Sequence, residues 1–338
     1  AQLNTNTTTS SNNNINSGNS HNSIDISIIN KTPAALLSID EFCDLRSFEY
    51  IDTVEGLDQV VEEASIVLEI ALSMCYHSYR SFQGVTCLLS LSTRDKDFVI
   101  DTLVLRKEMQ SLLGVFTNPL VVKVLHCCDD DVVALQRDFG LYIVNCFDIY
   151  QACRILNYSM SSVSHLLEYY NGVELDKQHA LFDWTCRPLP AGSIQIARQN
   201  CMYLLYLYDN VRYSLSVKVG KEGIIASLDA SRRKCLRRYE KKPYWERGYR
   251  KLLNGPRSCV PATTTLSEDE DEVMRLLSKW RDELAREYNE SPDYVMSNGE
   301  LLRIGKQIPR DESMLLNECG FLSKMVIERS TEILNIMN

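Results

Sequence analysis

Between residues 50 and 155, short apolar runs of strand length alternate with segments of helical periodicity, and this alternation constrains the fold more than any other feature. Residues 84–93 and 97–105 are rich in Val, Leu, Ile and Thr and have the length of two paired strands. Residues 121–127 form another such run, and the helical segment that follows closes on Gly140. This order of elements predicts an α/β domain with a mixed sheet flanked by helices.

The rest of the chain has a different composition. Residues 1–33 are rich in Asn, Ser and Thr and lack the apolar side chains of a core, so we predict a disordered tail there. The α/β domain is predicted over 34–240, with helical segments from about residue 158 onwards. Residues 241–266 contain three prolines and little periodicity, which indicates a linker. An acidic run then opens an amphipathic helix, and we predict a small all-α domain over 267–338.

Charge and cysteine content exclude some classes of protein. The net charge of −9 excludes a basic surface covering the whole molecule, so any binding to RNA must use local patches. The twelve cysteines are scattered, without the paired spacing of a structural zinc site. No signal peptide and no apolar stretch of bilayer-spanning length is evident, so we expect an intracellular protein, neither secreted nor bound to a membrane.

Four stretches carry a resemblance to a known family. Residues 77–103 begin HSYRSFQG, residues 122–157 contain the pattern DFGLYIVN, and residues 176–190 end in RPLP. Together they resemble the DEDD-type 3′–5′ exoribonucleases of the nuclear exosome, an RNase D-like family that includes the PM/Scl autoantigen. Residues 280–311, with WRDELAREYNES, are similar to the HRDC domain of the same family. The resemblance implies an RNase H-like mixed sheet followed by an all-α HRDC bundle, and a nuclear or nucleolar location.

The family's catalytic positions are altered in this chain. By resemblance, such enzymes hold two Mg²⁺ or Mn²⁺ ions with four acidic residues, and a tyrosine orients the attacking water. Aligned on HSYR, the motif D-x-E falls on Ser73 and Cys75, and the motif Y-x-x-x-D falls on Ile196 and Asn200. Only Asp131, from the motif H-G-A-x-x-D, keeps its acid. Because three of four metal-binding charges are missing, the sequence predicts that both ions are lost, that no cofactor is bound and that the protein is a pseudo-nuclease.

Two alternatives leave room for chemistry at this place. Asp129 and Asp130 precede Asp131 and offer extra carboxylates for a weak or altered hydrolase, although consecutive acids also favour the start of a helix without binding anything. Cys75 and His126 together with Asp131 contain the donor types of a soft ion such as zinc, although a packed histidine is the ordinary case.

Without catalysis, the expected function is that of a scaffolding or RNA-binding subunit in RNA processing or degradation. The partners expected are single-stranded RNA and the proteins of an exosome-like or other ribonucleoprotein complex, with no DNA and no membrane. Candidate RNA-binding side chains lie on the HSYRSFQ segment, at the altered H-G-A motif and in the basic run near 235. They are Tyr79, Arg80, Phe82, Gln83, His126, Arg232, Arg233, Arg237 and Arg238. A solvated helix face explains the basic run equally well.

Overall fold

The computed structural model describes residues 39–44, 46–173, 182–254 and 265–337. Within these residues, a mixed six-stranded sheet forms the centre of the larger domain. The strands are β1 (Ser47–Ile51), β2 (Glu69–His77), β3 (Val85–Ser92), β4 (Lys96–Asp101), β5 (Val122–Leu125) and β6 (Cys146–Asp148). Their spatial order is β1-β4-β3-β2-β5-β6. Strands β2, β3 and β4 are antiparallel neighbours, whereas β1, β5 and β6 each pair in parallel.

Helices cover both faces of the sheet. Before the helical domain, the chain forms α1 (Ile39–Asp44), α2 (Val54–Ser65), α3 (Leu113–Thr117), α4 (Asp129–Phe139), α5 (Ile149–Ile155), α6 (Val163–Asn171), α7 (Ala191–Met202), α8 (Leu204–Lys218), α9 (Lys221–Cys235) and α10 (Lys251–Asn254), with short 3₁₀ turns at Met109–Leu112 and Gly248–Arg250. Alternate residues of β2 point to opposite sides, as a strand requires. Leu72 and Met74 join the core formed with α2 and α4, and Ala71 joins the core formed with α5, α8 and α9.

This architecture confirms the predicted α/β class. The strands predicted at 84–93 and 97–105 are paired as β3 and β4. Helix α4 ends where expected, because Gly140 adopts φ +66 and its backbone N–H donates to the carbonyls of Leu135 and Gln136. The predicted tail, 1–33, lies outside the described residues, as do residues 255–264 of the predicted linker. The predicted domain boundaries stay predictions.

The C-terminal part is a bundle of helices with its own core, as predicted. Its elements are α11 (Glu268–Tyr288), α12 (Pro292–Val295), α13 (Asn298–Gln307), α14 (Glu312–Glu318), α15 (Lys324–Glu328) and α16 (Ser330–Met337). Capping boxes begin α11 at Ser267 and α13 at Ser297, which satisfies backbone N–H groups that have no partner within the helix. Among the described residues, no helix combines the length and the apolar character that crossing a membrane requires.

Candidate active site

The candidate site forms where β2 extends beyond its parallel neighbour. Strand β5 pairs with β2 only from Glu69 to Ala71. The chain leaves β5 at Leu125 and turns into α4, which begins at Asp129. The second half of β2 and the first turn of α4 therefore meet at the carboxyl ends of two parallel strands, the edge at which α/β proteins bind their ligands.

Asp131 faces this edge, and a tyrosine holds it. The Tyr76 hydroxyl donates a hydrogen bond of 2.5 Å to Oδ1 of Asp131. The ladder between β2 and β3 shifts register between Cys75 and Tyr76, which alters the strict alternation of side chains at this point. Burial raises the pKa of Asp131 to about 7, and the bond from Tyr76 opposes that rise. Burial beside the carboxylate also raises the pKa of Tyr76, so the phenol stays protonated as the donor.

Ser73 and Cys75 lie on β2 in different surroundings. Ser73 is half-buried and pairs across the ladder with Ser90 of β3. Cys75 is buried in an apolar cluster with Leu88, Val99 and Ala197. Burial raises the pKa of the Cys75 thiol to about 12, so the sulfur is neutral at physiological pH. A neutral thiol is a poor ligand for a hard ion such as Mg²⁺.

Helix α7 brings the remaining two family positions to the sheet. The Ser90 hydroxyl donates to the carbonyl oxygen of Ala197 at 2.8 Å, and Nε of Arg198 donates to Oδ2 of Asp97 at 2.9 Å. These contacts turn Ala197 towards β3. Ile196 and Asn200 lie one turn apart, on a neighbouring face of the same helix. Ile196 is half-buried and Asn200 is exposed.

Asp148 fixes the loop before α4, a role that sequence reasoning missed. Its carboxylate accepts hydrogen bonds from the backbone N–H groups of Cys127 (2.8 Å) and Cys128 (3.3 Å) and also caps α5 at Tyr150 (3.0 Å). Burial raises the pKa of Asp148 to about 6. The same loop has Cys127 at φ +59, where the family pattern has glycine.

The two alternatives for metal binding differ in their support. Nε2 of His126 lies 2.5 Å from the carbonyl oxygen of Ser161 and is therefore engaged away from Cys75. Among the residues with described positions, no group of three or more His, Cys, Asp and Glu side chains is arranged to hold a metal ion, so the zinc alternative has no support. Asp129 is paired with Lys234 (2.9 Å) and Arg237 (2.7 Å), whereas Asp130 is exposed.

The HSYRSFQ segment is in contact with the helical bundle. Arg80 forms an ion pair of 2.5 Å with Glu290, and its guanidinium lies 4.0 Å from the ring centroid of Tyr294. Tyr79 packs edge-on against Tyr294, and the Phe82 ring lies beneath Arg286 at 4.5 Å. These three candidate RNA-binding residues therefore have partners within the chain.

The other candidates lie around α4. Gln83 accepts a hydrogen bond of 2.6 Å from the hydroxyl of Tyr239, in the segment that follows α9. Arg237 pairs with Asp129, whereas Arg232, Arg233 and Arg238 are exposed. The basic run thus reaches the first turn of α4 through Lys234 and Arg237, which both bind Asp129, two residues before Asp131.

The fold and this site define a 3′–5′ exonuclease domain joined to an HRDC domain. A family model described as "3'-5' exonuclease" matches residues 48–216, and one described as "HRDC domain" matches residues 270–337. The solved catalytic core of RRP6 from Trypanosoma brucei is 32% identical, with a TM-score of 0.82, over 93% of this chain and 84% of that one. The chain belongs to the RNase D-like exoribonuclease family that includes RRP6.

Curated relatives are longer than this chain. "Exosome complex component 10" of Rattus norvegicus is 38% identical over 83% of this chain and 32% of its own length. "Exosome complex exonuclease RRP6" of Saccharomyces cerevisiae is 34% identical over 78% of this chain and 36% of its own length. The chain thus spans about a third of the length of these relatives.

Two predictions from the sequence are contradicted by these comparisons. The prediction of a pseudo-nuclease is wrong, because the matching family is described as an exonuclease and a relative carries that name. The prediction that no cofactor is bound is also wrong, because the exonuclease family to which the chain belongs is metal-dependent. Both predictions counted carboxylates against the requirements of two ions, and counting charges does not establish that chemistry at Asp131 is lost.

The raised pKa of Asp131 predicts a pH-dependent cost to stability. Ionising this carboxyl is harder in the folded chain than in the unfolded chain, so the cost grows as the pH rises from about 4 to about 7 and is then constant. With metal chelated, Asp131→Asn is expected to stabilise the protein, and this gain in the free energy of unfolding should increase by about 2 kcal/mol between about pH 5.5 and about pH 8.5. Urea denaturation of both proteins at the two pH values measures it; a gain that does not change with pH would contradict the prediction.

Proposed function

We propose that this chain is an altered, metal-dependent 3′–5′ exoribonuclease that uses a single divalent ion at Asp131. The observation that carries the proposal is the position of Asp131, half-buried at the carboxyl edge of β2 and β5 with its carboxylate held by Tyr76. Family membership supports the reaction class, and the residues around Asp131 suggest how this chain departs from the two-ion scheme.

The oxygen donors near the site fit one hard ion better than two. Mg²⁺ commonly binds through one or two carboxylates and fills its remaining positions with water and substrate phosphate oxygens. Asp131 supplies the carboxylate, and the Ser73 hydroxyl and the Asn200 carboxamide are neutral oxygen donors at the other family positions. Cys75 is a buried neutral thiol and contributes nothing to such a site. When bound, the ion supplies charge stabilisation at the phosphate and activates a water molecule.

Residues of the chain itself would orient the carboxylate, fix the loop before α4 and attract the RNA. Tyr76 restricts Asp131 to one orientation, because the carboxylate accepts its hydroxyl proton at 2.5 Å. Asp148 keeps the loop before α4 fixed and so sets where the first turn of the helix lies. Arg237 contacts that turn through Asp129, and the exposed Arg232, Arg233 and Arg238 belong to the same basic run and would attract the RNA backbone.

The biological setting is proposed from the relatives. Proteins named as exosome components are similar over most of this chain, so we place it in exosome-linked RNA processing, with single-stranded RNA as substrate and exosome proteins as partners. A nuclear or nucleolar location follows from the same assignment. Residues 34–240 would form the nuclease domain and 267–338 the HRDC domain.

A nuclease assay tests the proposal. The full chain is incubated with 5′-labelled single-stranded RNA in Mg²⁺ or Mn²⁺, and the products are separated on a sequencing gel. We expect a ladder that shortens from the 3′ end, is abolished by a chelator and is at least about a hundredfold slower in Asp131→Asn. Asp130→Asn, which removes an exposed acid from the same turn, serves as the matched control and should keep most of the activity. The absence of any ladder from the wild-type chain, or an equal ladder from Asp131→Asn, would overturn the proposal.

A further inference from the structure

Three cysteines from separate elements meet between α4, β6 and α9. Cys128 precedes α4, Cys146 begins β6 and Cys235 ends α9. The three side chains pack together in one cluster, and the thiol of Cys128 also donates to Oδ2 of Asp148 at 3.4 Å. Cys128 and Cys146 are buried, whereas Cys235 is half-buried. None of the three thiols takes part in the proposed nuclease reaction, and the nuclease site uses only the backbone N–H of Cys128, which Asp148 holds.

Ion pairs already hold two of these cysteines side by side. Asp129, the residue after Cys128, accepts a salt bridge of 2.9 Å from Lys234, the residue before Cys235. Arg237 adds a second bridge of 2.7 Å to Asp129. Two chain segments tethered at adjacent residues keep their thiols in contact at little further cost in conformational entropy.

The surroundings distinguish Cys235 from the other two thiols. Hydrogen bonds from Cys128 and Cys146 hold the pKa of Cys235 well below the ordinary thiol value. The buried ammonium group of Lys123 acts in the same direction. Cys146 is buried, and for Cys128 the hydrogen bond with Cys235 and burial raise the pKa to about 12, against the opposing effect of Cys146. A partly exposed thiolate beside a second thiol is the arrangement of a reactive cysteine with its resolving partner.

We propose that Cys235 and Cys128 form a reversible redox site, in which a hydroperoxide oxidises Cys235 and Cys128 resolves the product to a disulfide. The Cys235 thiolate attacks the peroxide and the O–O bond breaks. One oxygen stays on sulfur as a sulfenic acid, and the other leaves as hydroxide or alkoxide and takes up a proton. The Cys128 sulfur then attacks the sulfenic sulfur, and the hydroxide that leaves combines with the thiol proton to form water. Two electrons pass from the two thiols to the peroxide.

The position of the disulfide gives it a consequence for the neighbouring helix. It would join the start of α4 to the end of α9, one turn before Asp131. A covalent bond would then connect two helices that are held by ion pairs and packing in the reduced protein. The inference does not depend on the proposed nuclease function, because oxidation can be measured without RNA or metal.

Peptide mapping of the full chain tests the redox site. The native protein is treated with a small excess of hydrogen peroxide, the remaining thiols are alkylated, and a tryptic digest is analysed without reduction. We expect residues 124–137 to be linked to residues 235–237, with the link removed by dithiothreitol. The link should be lost in Cys128→Ser and Cys235→Ser and kept in Cys127→Ser, the matched control on the same peptide.

Several results would overturn the redox site. One is a link from 235–237 to 138–154, the peptide that carries Cys146 and Cys153. Another is a link that survives in Cys128→Ser and disappears in Cys127→Ser, which would make the exposed Cys127 the partner. A third is oxidation confined to the exposed thiols of Cys127 and Cys186 while Cys235 stays reduced. The wild-type peptide map alone separates the first and third outcomes, and fragment-ion spectra of the linked peptide distinguish Cys127 from Cys128, so the test does not depend on any variant folding.

Discussion

Introducing aspartate at both Ser73 and Asn200 is expected to raise the rate of RNA shortening in Mg²⁺ by about a hundredfold or more. Each added carboxylate that contacts a divalent ion contributes a few kcal/mol even at a surface-like dielectric. A stabilisation of the transition state by about 1.4 kcal/mol already gives a factor of ten. Asn200 is exposed and Ser73 is half-buried, so both positions can take a charge, whereas Cys75→Glu would place a carboxylate in an apolar cluster.

The measurement is the initial rate of loss of the 3′-terminal nucleotide, with thermal melting as the check on folding. Ser73→Asn with Asn200 unchanged is the matched control, because it adds similar volume without charge and should leave the rate near that of the wild type. A folded double variant whose rate stays within about threefold of the wild type would show that these positions do not surround the ion.

Removing Arg46 is expected to cost the nuclease domain several kcal/mol of stability although it alters no residue of the proposed site. The Arg46 guanidinium is fully buried and hydrogen-bonds both oxygens of Asp97, through Nε at 3.1 and 3.2 Å, and the carbonyl of Arg94 at 2.8 Å. Arg46→Met would leave Asp97 buried with Arg198 as its remaining ion-pair partner among the described residues. Breaking a buried pair from one side costs about 3–5 kcal/mol.

The loss of Arg46 should also disturb the candidate site. Asp97 binds Arg198, which lies on α7 between Ile196 and Asn200. Guanidinium chloride denaturation of Arg46→Met, Asp97→Asn and the double variant measures the coupling, and we expect the double variant to lose much less than the sum of the single losses. Lys279→Met is the control, since its ion pair with Glu283 is exposed and should contribute nothing measurable. Additive losses for Arg46 and Asp97 would contradict the account.

Most of the architecture could be predicted from local patterns. The β-branched runs identified β3, β4 and β5, and Gly140 and the acidic start of α11 marked helix ends by known capping chemistry. Strand β1 was missed, because SFEYI includes a charged residue and lies at the edge of the sheet, where a strand is only partly buried.

The family resemblance predicted which residues form the site, and this stays a prediction, whereas the contacts of these residues could not be predicted. Alignment on the motifs of the family that the chain resembles gave Ser73, Cys75, Asp131, Ile196 and Asn200, but the bond between Tyr76 and Asp131 joins residues 55 apart. A signal did exist, since Tyr76 stands where the family pattern has histidine. The engagement of Arg80 by Glu290 links residues 210 apart and depends on how two domains pack, which no local pattern encodes. The residue types of the HSYRSFQ segment suggested contacts with RNA. The structure shows that three of its side chains contact the helical bundle instead of standing free.

Binding of Mn²⁺, followed by the loss of its free electron paramagnetic resonance signal, tests the central claim most directly because it requires no turnover. The account predicts about one ion bound per chain in the presence of a short single-stranded RNA, strengthened by the RNA phosphates. Asp131→Asn should abolish this binding, and Asp130→Asn should weaken it only slightly. No bound Mn²⁺ in the wild-type chain, or equal binding by the wild type and Asp131→Asn, would contradict a metal-dependent site at Asp131.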